Sequence, residues 1–156
     1  MQTASIAQLK KELKQLSPQE ISELCLSLAK FKKENKELLS YLVFEKANES
    51  HFIHQAKDEC KQWFSELNTS SYFYMKKGIR KILRHLKKYI RFSKQKLTEV
   101  ELLLYFCEQL KKQEPSIFNN TVLSNMYYKQ VELTNKALAK LHEDLQYDFK
   151  ERIERL

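Results

Sequence analysis

Glycine and proline are nearly missing from this chain of 156 residues, which contains one glycine and two prolines. Average proteins carry roughly 7% glycine and 5% proline, and folds built from strands and tight turns depend on both. Leucine, lysine, glutamate and glutamine, which all favour helices, are abundant instead. The composition therefore predicts an all-α fold.

The chain also lacks a run of about 18 apolar residues, and its start shows no basic segment followed by an apolar one. These are the usual signatures of a transmembrane helix and of a secretory leader. The three cysteines, Cys25, Cys60 and Cys107, form no C-x-x-C pair, so we expect free thiols in a reducing compartment. The sequence therefore predicts a cytoplasmic protein.

Motifs that carry catalysis or hold a cofactor are missing as well. Because Gly78 is the only glycine, the chain has no phosphate-binding loop and no dinucleotide fingerprint. His51, His54 and Asp58 would share one face of a helix, but a closed metal site needs a fourth ligand, and polar surface residues are the simpler interpretation. We expect no catalytic activity, no cofactor and no bound metal.

Apolar residues recur every three or four positions along most of the chain, as is typical of amphipathic helices. Ser17, Pro18 and Glu20 mark the clearest helix start, because they supply an N-cap, a proline at the first helical position and the second half of a capping box. The charged residues 32–36 either break this helix or continue it into residues 38–44. The predicted helices cover about 5–16, 18–31, 51–67, 72–92, 98–114 and 121–156.

Two of these helices have predicted boundaries that depend on local signals alone. Thr98, with Glu101 three residues later, predicts a second capping box, and the absence of any breaker after Thr121 predicts one C-terminal helix of more than thirty residues. Six to seven helices joined by short loops predict a single all-helical domain over residues 1–156. Its arrangement is either an antiparallel bundle or a short irregular α-solenoid.

Acidic side chains are absent from residues 67–98, which carry ten lysines and arginines. The formal net charge of +8 arises from this segment, because residues 1–66 hold ten basic and ten acidic groups. On a helical wheel of residues 72–92, the basic side chains gather on one face and the apolar ones on the other. We call the basic face the basic stripe; it consists of Lys77, Arg80, Lys81, Arg84, Lys87, Lys88 and Arg91.

Like charges at helical spacing repel one another, so the basic stripe needs a compensating anion. Nucleic acid is the first candidate, since its phosphates bind lysine and arginine without sequence specificity. An acidic partner protein, or the acidic residues Glu143, Asp144 and Glu151 of this chain, would compensate the stripe as well. In that alternative the protein is a helical adaptor or scaffold, which binds a partner or a second copy through the long C-terminal helix. An anionic membrane surface and a solvated face without a partner also remain open.

Three aromatic residues, Tyr72, Phe73 and Tyr74, directly precede the basic stripe. Exposed aromatic rings stack on the bases of single-stranded nucleic acid, which makes Tyr72 and Tyr74 candidate stacking residues. Aromatic residues at a helix start also commonly pack into the core. The chain has no zinc-finger spacing, no glycine-bearing helix-turn-helix and no RRM or KH signature, so it shows no sign of sequence-specific recognition.

Four charged helical strings, at residues 9–13, 29–39, 98–103 and 141–148, resemble those of a family of short, uncharacterised bacterial helical proteins. The resemblance covers most of the chain. It implies a bacterial, cytoplasmic origin, and it carries over no activity, cofactor or functional residue.

Overall fold

The computed structural model describes residues 1–156 and contains eight α-helices and no strand. The prediction of an all-helical chain is confirmed, whereas the predicted six to seven helices are too few. The chain divides into two compact units, residues 1–44 and 45–156. A single domain over the whole chain stays a prediction.

The helices are α1 (Ile6–Leu13), α2 (Pro18–Phe31), α3 (Lys33–Ser40), α4 (Glu49–Ser65), α5 (Tyr72–Ser93), α6 (Lys96–Lys111), α7 (Thr121–Leu138) and α8 (Glu143–Glu154). A π-helical turn covers Tyr41–Glu45, and a 3-10 turn covers Ile117–Asn119. None of the helices combines the length and the apolar character needed to cross a membrane.

Two of the three helix starts in residues 1–44, those of α1 and α2, follow local capping chemistry. The Ser17 hydroxyl accepts a hydrogen bond from the Glu20 amide, and the Glu20 carboxylate accepts one from the Ser17 amide at 2.7 Å. The predicted capping box at α2 is therefore confirmed. A second box, between Ser5 and Gln8, starts α1 in the same way. Each box satisfies backbone amides that a helix start would otherwise leave unpaired.

The second helix of this unit ends at a single extended residue. Lys32 has φ −147° and ψ 137°, so the alternative in which the charged segment breaks the helix is correct. The chain then turns back into α3, which packs against α2. The Asn35 side-chain amide donates to the Leu28 carbonyl at 2.9 Å and so binds one of the unpaired carbonyls at the end of α2.

The core of residues 45–156 is built around α6. Helices α4, α5 and α7 all pack against it. Its buried side chains cover about 240° of the helix circumference rather than one narrow stripe, which is typical of a helix in the middle of a fold. The buried residues of α6 are Thr98, Val100, Leu102, Leu103, Leu104, Phe106, Cys107 and Leu110.

The C-terminal segment forms two helices, and the predicted single long helix is wrong. His142 is the N-cap of α8, and its ring accepts a hydrogen bond from the Asp144 amide at 3.4 Å. In one continuous helix Ala137 and Phe149 would lie about 18 Å apart along the axis. Here both belong to one buried cluster with Val100 of α6. Packing on α6 therefore breaks a segment that has no breaker in its sequence.

Thr98 is not a helix cap. Helix α6 begins two residues earlier, at Lys96, and Thr98 is fully buried with its hydroxyl donating to Glu49 of α4. Glu101, the predicted second half of the capping box, forms an ion pair with Lys57 instead. This predicted box is wrong because both of its side chains bind partners from another helix.

Candidate functional site

Helix α5 separates an apolar face from a basic one. Its apolar face enters the principal core through Met75, Ile79, Ile82 and Leu86. The basic stripe lies away from that core. Lys77, Arg80, Lys81, Arg84 and Arg91 are exposed, and Lys87 and Lys88 are half-buried.

Most of the basic stripe has no compensating charge within the chain. Lys77, Arg80, Lys81, Arg84 and Lys87 form no ion pair. The remaining two members of the stripe do have interaction partners within the chain. The part of the stripe available to an external anion is therefore its first three turns.

The acidic residues of α8 do not neutralise the stripe. Glu143 and Asp144 are exposed, and Asp144 lies 3.3 Å from the ring of His142. Glu151 forms an ion pair with Arg155, one turn further along the same helix. The acidic groups that the sequence offered as internal compensation thus pair within α8 or face solvent.

Charge pairing elsewhere in residues 45–156 is well developed. Arg152 of α8 donates to Glu108 of α6 at 2.9 and 3.0 Å, and to Glu101 at 3.2 Å. The hydrogen bonds to Glu108 are the main reason why the pKa of Arg152 is raised above its ordinary value. These pairs hold α8 on α6. The fold therefore pairs charges where α6 and α8 meet and leaves five members of the stripe, Lys77, Arg80, Lys81, Arg84 and Lys87, without an ion pair.

A lysine from another helix extends the basic surface. The pKa of Lys87 is lowered from its ordinary value, first because partial burial disfavours the charged form and second because the Lys129 ammonium of α7 repels it. Lys129 is exposed and forms no ion pair. Two helices thus bring like charges together, and an anion bound there would relieve the repulsion.

The aromatic residues that precede the stripe have different surroundings. Tyr72 packs against the core, and its hydroxyl donates to the Ser116 carbonyl at 2.8 Å. Phe73 and Tyr74 are 57% and 50% exposed, with their rings edge to face at 5.3 Å. The Lys77 ammonium lies 4.2 Å from the Phe73 ring centre. Tyr74 therefore has ring surface available for stacking, Phe73 has one face covered by Lys77, and Tyr72 is held against the core.

Two further aromatic residues, Phe118 and Tyr128, are 41% and 60% exposed. Phe118 follows Ser116, which contacts the start of α5, and Tyr128 precedes Lys129. Their ring centres are 6.2 Å apart. Sequence analysis missed all three of Phe118, Tyr128 and Lys129. The sequence does contain a signal for Tyr128. Tyr127 is one of the apolar residues that recur every four positions in this helix, with Leu123 and Val131, and Tyr128 lies about 100° around the helix from it.

The histidines of α4 form separate polar pairs. His51 Nδ1 lies 2.9 Å from Glu45, and His54 Nε2 lies 3.3 Å from Asp58. Both histidines are exposed. No three histidine, cysteine, aspartate or glutamate side chains of the chain come together in an arrangement that could hold a metal ion.

Comparison with known proteins adds no relative from which a function could be transferred. No protein-family model matches the chain, and searches of curated proteins and of solved structures return no match. A bacterial origin stays an expectation. Proposals about function therefore depend on the geometry of this chain.

Proposed function

We propose that the protein is a non-catalytic binding module whose α5 surface binds the phosphates of nucleic acid without sequence specificity. The observation that carries the proposal is the row of exposed cations with no acidic partner in the chain, Lys77, Arg80, Lys81 and Arg84. A stripe neutralised by the chain's own carboxylates would have little to gain from an external anion. Here the compensating charge has to come from outside.

The spacing of these cations suits a polymeric anion. Lys77, Arg80 and Arg84 lie one helical turn or slightly less apart, and the whole stripe extends about 21 Å at 1.5 Å per residue. Each phosphate that binds a lysine or arginine releases condensed counterions, which favours association at low salt. Such contacts read charge and spacing rather than base identity, so we propose binding to many sequences.

The exposed rings beside the stripe favour a single strand over a duplex. Bases of a single strand are free to stack on Phe73 or Tyr74, whereas bases in a duplex already stack on one another. The basic surface, extended by Lys129 of α7, would then hold the backbone while the rings hold bases. We therefore propose a single-stranded nucleic acid as the preferred partner.

Charge reversal of the stripe tests this proposal. In the triple variant Arg80→Glu, Lys81→Glu, Arg84→Glu, all three changes fall on exposed side chains without an ion pair. Affinity for a labelled oligonucleotide, measured by fluorescence anisotropy, should fall about 10- to 100-fold, because each exposed charge contact is worth roughly 0.2–1 kcal/mol. Helicity should not change, since none of the three enters the core.

A matched control variant distinguishes an effect of the basic stripe on affinity from an effect of net charge. The triple variant Lys112→Glu, Lys140→Glu, Lys150→Glu changes the net charge by the same amount at exposed positions outside α5. Its affinity should fall by less than about threefold, because a charge far from the bound strand acts only through a screened field. Equal losses of affinity in the two variants would show that net charge, rather than the basic stripe, attracts the oligonucleotide. Unchanged affinity in the α5 variant would exclude the stripe as the binding surface.

A further inference from the structure

Apolar side chains of residues 1–44 are exposed to an unusual degree. Tyr41 is the only buried residue in this unit. Phe31 is 86% exposed, and Leu26, Val43 and Phe44 are all more than half exposed. Large apolar surfaces of this kind commonly mark a binding site for another macromolecule.

Part of this apolar surface is shaped as a groove. The groove lies between the second half of α2 and α3, and its cavity volume is about 680 Å³. Leu26 of α2, Leu39 of α3 and Val43 of the π-helical turn form its apolar walls. Because Leu26 and Val43 remain more than half exposed, the groove is open along its length rather than enclosed.

Lysines form the polar edge of the groove. Lys30, Lys33 and Lys36 line it, all three are exposed, and none of them forms an ion pair. No aspartate or glutamate lines the groove. The nearest ion pair in sequence, between Lys32 and Glu34 at 3.2 Å, involves other residues. An occupant must therefore combine apolar side chains with negative charge.

We propose that this groove binds an amphipathic helix of a partner protein, with leucine-like residues on one face and acidic residues along its edges. A groove between two helices accepts a third helix that places residues i, i+3, i+4 and i+7 in contact with its walls. Charge complementarity with Lys30, Lys33 and Lys36 selects acidic flanks. The groove shares no residue with the basic stripe, since all of its lining residues belong to residues 1–44.

Two helices of a second copy of this chain, α1 and α8, are poorly suited to the groove. Helix α1 has an exposed apolar stripe, but it also carries Lys10 and Lys11, and Lys14 follows it, so its charge would repel the lysines of the groove. Helix α8 is acidic, but Phe149 on its apolar face is buried in the core. These properties of α1 and α8 therefore favour a different protein as the source of the complementary helix.

The proposal can be tested with a synthetic helical peptide of about 18 residues, which is about 27 Å long. The labelled probe has leucine at i, i+3, i+4 and i+7 spacing and glutamate on its flanks. A counterpart replaces every glutamate by lysine. We expect the full-length protein to bind the acidic peptide at least about tenfold more tightly than the basic one, because three lysines line the groove.

Two charge-reversal variants locate the binding. Lys30→Glu, Lys33→Glu, Lys36→Glu should reverse the preference between the two peptides. The matched control Lys10→Glu, Lys11→Glu, Lys14→Glu changes the same net charge on α1 and should keep the preference for the acidic peptide. Val43→Asp should lower the affinity for both peptides about tenfold or more, because it places a charge on the apolar wall of the groove. Circular dichroism confirms that each variant remains helical.

Several outcomes would overturn the proposal. They are equal affinity for the two peptides, no binding of either peptide, or a loss of the preference for the acidic peptide in the α1 control variant that equals the loss in the groove variant. Binding of phosphatidylserine vesicles without binding of the acidic peptide would assign the groove to lipid instead. Oligonucleotide affinity, measured in parallel, should stay within about threefold in the groove variant, because none of its three lysines belongs to the basic stripe. The peptide measurements therefore test the groove, the oligonucleotide measurements test the basic stripe, and either proposal can fail without the other.

Discussion

Residues 1–44 and residues 45–156 both consist of helices, but different forces define them. The first unit contains two complete capping boxes, at Ser5 and Ser17, and only one buried residue. The second has no complete capping box, yet it holds two buried clusters centred on α6. Local capping chemistry sets where helices begin, whereas burial of apolar surface sets how firmly they are held. We therefore expect residues 45–156 to carry most of the stability.

The largest predicted contrast concerns the cysteines. Burial raises the pKa of Cys60 and of Cys107 to about 12, and both side chains are fully buried. At pH 7 such thiols carry about a thousandfold less thiolate than an ordinary cysteine, and the thiolate is the reactive form. Cys25, in the first unit, is only half-buried. One thiol per chain should therefore react rapidly with Ellman's reagent.

The remaining two thiols should react at least about a thousandfold more slowly in the folded protein. In denaturant all three should react at similar rates. Cys25→Ser should remove the fast phase and leave the slow one unchanged. Two or more fast thiols in the native protein would show that the second unit opens readily, and the contrast between the units would then fail.

Two phenylalanines provide the next comparison. Phe106 of α6 is fully buried, with its ring 5.6 Å from that of Phe64, whereas Phe31 is 86% exposed. Phe106→Ala should lower the free energy of unfolding by about 3–5 kcal/mol, because it removes buried apolar surface and leaves a cavity. Phe31→Ala should change it by less than about 0.5 kcal/mol. Chemical denaturation followed by circular dichroism measures both, and a similar loss in the two variants would contradict the proposed difference.

The smallest effect is local to the start of α2. Hydrogen bonds from the Ser17 amide, and then from its hydroxyl, lower the pKa of Glu20 below its ordinary value of 4.5. Because the folded pKa is the lower one, this stabilisation is present above about pH 4.5 and is lost as the pH falls through the folded pKa. The first turn of α2 should then fray, while the core of the second unit stays helical.

NMR chemical shifts of the Ser17 and Glu20 amides follow this change. Glu20→Gln keeps a capping side chain without a titrating group, so those shifts should become independent of pH in the acidic range. Ser17→Ala removes the hydroxyl hydrogen bond but keeps the amide one, so it should return the pKa of Glu20 only part of the way towards 4.5. If the pKa of Glu20 is unaffected by Ser17→Ala, the hydroxyl does not take part in the capping box.

The sequence predicts those features that depend on neighbouring residues. The Ser17 box and the two faces of α5 follow from residues within a few positions of one another. The start and end of α5 differ from the predicted 72–92 by at most one residue. Such features need only helical periodicity and capping rules, which act over three or four residues.

The features that sequence analysis missed depend on distant residues. The break before α8 exists because Phe149 packs with Val100 of α6, and Thr98 is buried because it binds Glu49. Lys129 reaches the basic surface because α7 packs on α6. No pattern among neighbouring residues predicts these contacts between helices.

The claim that α5 binds nucleic acid is tested most directly by the salt dependence of affinity. We would measure binding of the wild-type protein to labelled single-stranded and duplex oligonucleotides over a series of salt concentrations. With about five phosphates neutralised, we predict log–log slopes of about −4 to −5 for the duplex and about −3 to −4 for the single strand. At each salt concentration the single strand should bind more tightly. Undetectable binding even at low salt, or a slope near zero, would contradict the claim.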